Sequence, residues 1–163
     1  MPTSKPGGTH YGVSASMVEA RPLLAVRARV SQQELAQQIP ALLGRVYQGV
    51  PSRELLDGQN VVVYRGTAPL LDVEAGVGLR GTLTPPEGLV VTSTPAGEAA
   101  HSTHWGDYAG IGRAHQAVIA WCISNERALA GPSWEVYGHW SDDPAEVRTD
   151  VYYLLVPQGQ RPG

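Results

Sequence analysis

The segment Trp134-Glu-Val-Tyr137 sets a carboxylate and a phenol two residues apart in a run that reads as a strand. Glu135 and Tyr137 therefore share one face, and Trp134 and Val136, which read as core, share the other. A carboxylate placed this way faces either solvent or a cleft. In a cleft it would suit a delocalised organic cation, which supplies opposite charge without strong hydration. Tyrosine and tryptophan faces would add cation–π attraction of about 0.5–2 kcal/mol each, and flat apolar groups would gain about 25 cal/mol per Å² buried. Partial burial is expected to raise the carboxyl's pKa.

The aromatic residues suit such a site. There are seven tyrosines, four tryptophans and no phenylalanine, so every ring carries a polar tip. Eight of the eleven (Trp105, Tyr108, Trp121, Trp134, Tyr137, Trp140, Tyr152, Tyr153) fall between positions 105 and 153. Trp105 and Tyr108 are candidates for the cleft, whereas Trp121 lies on a helical apolar stripe and reads as core. Tyr152 and Tyr153 are neighbours on a strand, so only one of them can face it.

Other chemistries find little support. His101 and His104 are three apart at a strand end and point to opposite faces, and no His-Glu-x-x-His spacing exists, so no metal or cofactor is expected. His104 is expected to bond locally near Gly106. Cys122 sits within a helical stripe, a place for packing, and there is no Gly-x-Ser-x-Gly elbow.

The elements that must position these residues follow from periodicity. LLAVRARV, residues 23–30, alternates Val26, Ala28 and Val30 against Arg27 and Arg29 and predicts a half-buried strand. Ser31 and Glu34 spell a capping box ahead of a helical stripe of Leu35, Ile39, Leu42, Leu43, Val46 and Tyr47. Pro40 within it predicts a kink or a late start. Residues 60–65 and 70–75 predict a hairpin, residues 76–88 a Gly/Pro-rich connection, and residues 89–94 and 98–104 a second hairpin turning at 95–97. A second helical stripe (Ile111, Ala114, His115, Val118, Ile119, Cys122) follows, with Asp107 as its N-cap. Strands are predicted at 134–137 and 149–156, joined by a turn over 139–146.

Strand, helix and hairpin thus occur twice. A displacement of 75 lays Ile39 on Ala114, Leu43 on Val118 and Val46 on Trp121. The pattern predicts an α+β fold of duplicated units about an approximate two-fold axis, with a groove at the junction. The same displacement carries Tyr64 close to Tyr137. The chain's 163 residues suit one domain at residues 19–157, with a flexible leader over residues 1–18 and a tail over 158–163. Twelve Lys+Arg against fifteen Asp+Glu, a net charge of −3, argue against nucleic acid as a direct partner. No apolar run is long enough for a membrane span, and the start lacks a signal peptide, so a cytoplasmic protein is expected.

Five segments fall in a recognisable order and spacing: Asp72-Val-Glu-Ala-Gly76, Pro95-Ala-Gly97, His104-Trp-Gly-Asp-Tyr108, Gly131-Pro-Ser-Trp-Glu-Val-Tyr137 and Thr149-Asp-Val-Tyr152. From about Val18 to Pro157 the chain resembles the GyrI-like proteins, which include effector-binding domains of multidrug-sensing transcription activators. The resemblance implies two βαββ units, antiparallel sheets and two helices around a central aromatic cleft. It also implies that Glu135 is the acidic group and that Tyr152, by its place in the motif, is the tyrosine facing the cleft. The ligand-binding set is then Glu135, Tyr137, Tyr152, Trp105, Tyr108 and Tyr64. With only a short leader and no helix-turn-helix ahead of the domain, a complete transcription factor is not expected. The expected function is that of a standalone binder of bulky hydrophobic, preferably cationic small molecules, in drug sequestration or sensing. One alternative is a hydrolase that opens cyclopropane-bearing DNA-alkylating toxins, with Glu135 as general base and Tyr137 polarising the substrate carbonyl. Another is a partner protein that restrains DNA gyrase or acts with a regulator.

Overall fold

A computed structural model describes residues 11–67, 69–138 and 142–159. The leader's first ten residues, Ala68 of the first hairpin turn, residues 139–141 of the second and the end of the tail lie outside these. The elements are β1 (Ser14–Val18), β2 (Pro22–Ser31), α1 (Leu35–Gly49), β3 (Leu56–Arg65), β4 (Leu70–Leu79), β5 (Val90–Ser93), β6 (Gly97–Trp105), α2 (Ile111–Ser124), β7 (Leu129–Tyr137) and β8 (Arg148–Leu155). All eight strands form one antiparallel sheet, in the order β1-β6-β8-β7-β3-β4-β2-β5. The fold is α+β, and β2-α1-β3-β4 and β6-α2-β7-β8 are the duplicated units. Pro22 and Gly97, which open β2 and β6, are 75 residues apart, as the helical stripes require.

The units meet at the sheet's centre, where β3 and β7 pair with Val62 opposite Glu135 and Tyr64 opposite Ser133. Both helices cover one face. Helix α1 packs Ile39, Leu42, Leu43 and Val46 on Leu24, Val26, Val62 and Val73, and α2 packs Ala114, Val118 and Cys122 on Ala100, Val151 and Leu155. The opposite face buries Leu23, Val61, Val63, Ala99 and Trp134 with no helix among its members.

What covers that second face is the sheet itself. In a flat sheet, β1 and β2 would stand six strand steps apart, as would β5 and β6, a span of about 29 Å at roughly 4.8 Å per step. Three residues link each pair (19–21 and 94–96), and such a link reaches about 14 Å at most. The sheet must therefore curl away from the helices until its ends approach. Where the links leave β2 and β5 they continue the ladder of that pair: Arg21 N–H donates to Thr94 Oγ1 at 2.9 Å, and Thr94 N–H to the Arg21 carbonyl at 2.9 Å. Close approaches inside the curl require small residues. A Cβ on Gly76 would lie 2.8 Å from that of Ala25, and one on Gly78 would meet the Asp57 carboxylate that binds Arg21.

Several local expectations are corrected. Residues 14–18, expected within the flexible leader, form an edge strand, because their backbone completes the open side of β6. Strands β5 and β6 are not a hairpin; β5 pairs with β2, and β6 with β1 and β8, since the curl offers each a better partner than its sequence neighbour. Residues 76–79 extend β4 rather than opening a connection. Neither Ser31 nor Asp107 makes a side-chain cap, each preceding a 3-10 turn instead of the first α-turn. Helix α1 starts at Leu35 and runs through Pro40, which is exposed and so sets its missing N–H against no core packing. Among the described residues no helix is long and apolar enough to cross a membrane, and no group of three His, Cys, Asp or Glu is placed to hold a metal.

Candidate functional site

Glu135 lies on β7 at the seam between the units, on the helix side of the sheet, and is 2% exposed. Four donors reach it. Its Oε1 accepts from the hydroxyls of Tyr137 at 2.7 Å, Tyr64 at 2.9 Å and Tyr108 at 2.9 Å. Its Oε2 lies 2.6 Å from His115 Nε2, and the opposite ring nitrogen, Nδ1, lies 2.7 Å from the Tyr153 hydroxyl. Each partner comes from a different place in the fold: Tyr64 from β3, Tyr137 from β7 itself, Tyr108 from the 3-10 turn before α2, His115 from α2 and Tyr153 from β8.

Burial pushes the Glu135 carboxyl up, but the His115 ring and the hydroxyls of Tyr137 and Tyr108 outweigh it and hold the group below the usual 4.5. The expected rise is thus reversed, because hydrogen bonds to the charged form favour it. Burial and then the Glu135 charge raise the neighbouring phenols, Tyr108 to about 12 and Tyr64 and Tyr137 well above the ordinary phenol range. Tyr153 is also pushed to about 12, by burial, Glu135 and Cys122.

Beside this cluster a cleft of about 780 Å³ opens between α1 and the β7–β8 hairpin. Ala36, Ile39, Pro40, Leu43, Gly44 and Tyr47 form its helical wall. Tyr108 and Tyr137 line it on the other side and stand between it and the carboxylate, their rings edge-to-face at 5.7 Å. A polar end is supplied by Gln59 and by Asn60, whose Oδ1 accepts from Tyr47 at 2.6 Å. Arg148 reaches the rim, but its guanidinium turns to Asp150 at 3.1 Å and over the Trp105 ring at 5.6 Å.

Four of the six residues singled out in the sequence, Glu135, Tyr137, Tyr108 and Tyr64, come together here. Tyr152 does not. It faces the far side of the sheet, stacked on Trp134 at 5.2 Å and against His101 at 4.6 Å. Its neighbour Tyr153 takes the helix side, with Val151 and Leu155. Trp105, at the end of β6, lies beneath Arg148 and is not part of the cleft wall. Tyr11 packs by α2, its hydroxyl 3.0 Å from His104 Nδ1, and does not cover the cleft. His104 also bonds the Asp107 carbonyl at 2.8 Å, the local contact expected of it. Sequence analysis missed His115 and Tyr153. For Tyr153 the alternation with Val151 and Leu155 was the available signal. His115 borders the buried stripe of Ala114, Val118 and Cys122, where a polar residue invites a partner.

A family model described as a GyrI-like small molecule binding domain matches residues 13–155. The chain belongs to this family. No curated protein matches it. Among solved structures, the EcmrR C-terminal domain is 17% identical with a TM-score of 0.72, over 90% of this chain and 98% of that one. EcmrR in its complex with DNA is 18% identical with a TM-score of 0.73, over 89% of this chain, which spans only 57% of that longer one. SAV2435 bound to tetraphenylphosphonium is 10% identical with a TM-score of 0.61, over 90% and 94% of the two chains. At these identities the likeness establishes the fold. The GyrI-like domain is a small-molecule binding domain, and here Glu135 with its four donors sits at the duplication seam.

Proposed function

We propose that this GyrI-like domain binds bulky hydrophobic molecules, organic cations foremost, in the cleft beside Tyr108 and Tyr137. The observation that carries this reading is a buried carboxylate behind two tyrosines that line an apolar cleft. A volume near 780 Å³ suits a multi-ring compound. A delocalised cation there would meet the tyrosine rings directly and the Glu135 charge through them, in a setting where little water screens it. The ligand of SAV2435, a lipophilic phosphonium, is of this class.

The geometry favours binding over hydrolysis. A general base needs a lone pair turned to water, and Glu135 is 2% exposed with three hydroxyls on Oε1 and His115 on Oε2. Tyr137 spends its hydroxyl hydrogen on Glu135, which leaves none to polarise a substrate carbonyl.

The test is calorimetric titration of wild type and Glu135→Gln with tetraphenylphosphonium and with an uncharged multi-ring compound of similar size. The expected result is a loss of at least about tenfold in affinity for the cation (about 1.4 kcal/mol), with binding of the neutral compound kept as the check on folding. Equal cation affinity in the two proteins would overturn the charge-based reading.

A further inference from the structure

One of the matched helical positions at which the two halves differ lies beside the site. Pro40 of α1 corresponds, at the displacement of 75, to His115 of α2. Pro40 lines the open cleft, whereas His115 reaches under the sheet's seam and closes on Glu135. The Glu135 side chain is 3% exposed and that of His115 20%. The charge of this pair is what a cation in the cleft encounters. A carboxylate with a neutral imidazole presents −1, and a carboxylate with an imidazolium presents zero.

Both protonation states of His115 are fully hydrogen-bonded in this geometry, and Tyr153 is the reason. With both ring nitrogens protonated, Nε2–H donates to Glu135 and Nδ1–H to the Tyr153 oxygen. After Nδ1 gives its proton to solvent, the Tyr153 O–H rotates to donate to Nδ1 across the same 2.7 Å, and Nε2–H stays on Glu135. Loss of the proton strands no polar group. The surrounding titratable groups are Tyr64 from β3, Glu135 and Tyr137 from β7, Tyr108 from the turn before α2, Tyr153 from β8 and Cys122 of α2 beside Tyr153. The phenols are held neutral by burial and by the carboxylate, whereas the His115 ring has two nitrogens, one on Glu135 and one on Tyr153, each able to carry a proton.

We propose that His115 is the specificity-determining residue of the cleft, acting as an internal counter-ion to Glu135 that gives up one proton when an organic cation binds. This rests on the reading of the cleft as a cation site and adds its regulation. Cation and proton compete for one carboxylate: acid conditions keep the pair neutral and weaken cations selectively, and neutral ligands of the same shape feel no such effect. By linkage, the bound cation must in turn promote loss of the proton.

The experiment is calorimetric titration of the full chain with tetraphenylphosphonium at several pH values between about 5 and 8, each in two buffers of different ionisation enthalpy. Wild type is expected to release up to one proton per cation at the acid end and none at the alkaline end. Its affinity should rise with pH by as much as about tenfold per unit, the limit for a single linked proton. In His115→Gln, affinity for the cation should be flat over the range, with no proton released. Wild-type binding with no released proton and no pH dependence would overturn the proposal while leaving the cation site intact. A pH slope that persists in His115→Gln would also overturn it, by assigning the proton to another group. No binding of the cation at any pH would remove both the proposal and the reading beneath it.

Discussion

Three phenols and an imidazole around one carboxylate solve a problem of desolvation. An unpaired glutamate at the seam would be costly to bury, and each hydroxyl returns part of the hydration it has lost. Tyr64 isolates this effect, because it is 8% exposed and does not line the cleft. Tyr64→Phe removes one charge-assisted donor to Oε1, and the expected cost is about 1.5–3 kcal/mol at neutral pH. The cost depends on pH in a definite direction. Since the folded-state carboxyl titrates below its usual 4.5, its contribution is complete above that value and is lost as pH falls through the folded one. Urea unfolding of wild type and Tyr64→Phe at pH 7 and in the acid region should therefore show the difference shrinking on acidification. A penalty of the same size at both would show that the hydroxyl does not act through the ionised carboxylate.

At the scale of elements, the duplication has been put to unequal uses. Helix α1 presents Ala36, Pro40 and Gly44 to the cleft, small or flat residues that leave it open, and α2 sends His115 inward. Proline lacks the N–H that would reach the Ala36 carbonyl, and in a helix interior it is about 3 kcal/mol worse than alanine, offset by its stiffening of the unfolded chain. Pro40→Ala is expected to stabilise the fold by about 1–3 kcal/mol, read as a higher urea midpoint; an unchanged midpoint would mean that the helix bears no strain there. Much of this level was legible in the sequence. Both helical stripes, the half-buried strand with Val26 and Val30, and the Glu135–Tyr137 face follow from periods of 3.6 and 2. What was not legible depended on tertiary pairing. Tyr64 is the counterpart of Tyr137 at a displacement of 73 rather than 75, because the link from Gly49 to Leu56 is two residues longer than that from Ser124 to Leu129. Tyr152 was placed by motif where the parity of Val151 and Leu155 favours Tyr153. The pairing of β5 with β2 depended on a curl that no local pattern records.

That curl is the property of the whole molecule, and it makes one cooperative body from two repeats. The repeats are joined at the centre by β3 and β7 and across the curl by the two links, whose ends at Arg21 and Thr94 extend the β2–β5 ladder, while Arg21 also bonds Asp57 at 2.7 Å. Arg21 of the first repeat influences the Tyr152 phenol of the second, although four strand steps separate their strands, which places the Arg21–Thr94 pair on the side away from the cleft. Thr94 is 5% exposed, and its hydroxyl accepts from the Arg21 backbone. Thr94→Val keeps the shape and deletes that acceptor, leaving a backbone donor without this partner, which should cost about 1–3 kcal/mol. Thr94→Ser retains the hydroxyl and should recover most of that loss. Because β3 and β7 still bind the repeats together, both variants are expected to unfold in a single transition, with affinity for tetraphenylphosphonium unchanged. Denaturant unfolding followed separately by tryptophan fluorescence and far-ultraviolet circular dichroism distinguishes the outcomes. Coincident curves displaced for Thr94→Val alone support the Arg21–Thr94 pair as the anchor of the link ends, whereas equal stability of all three proteins would mean that the β2–β5 ladder holds them unaided.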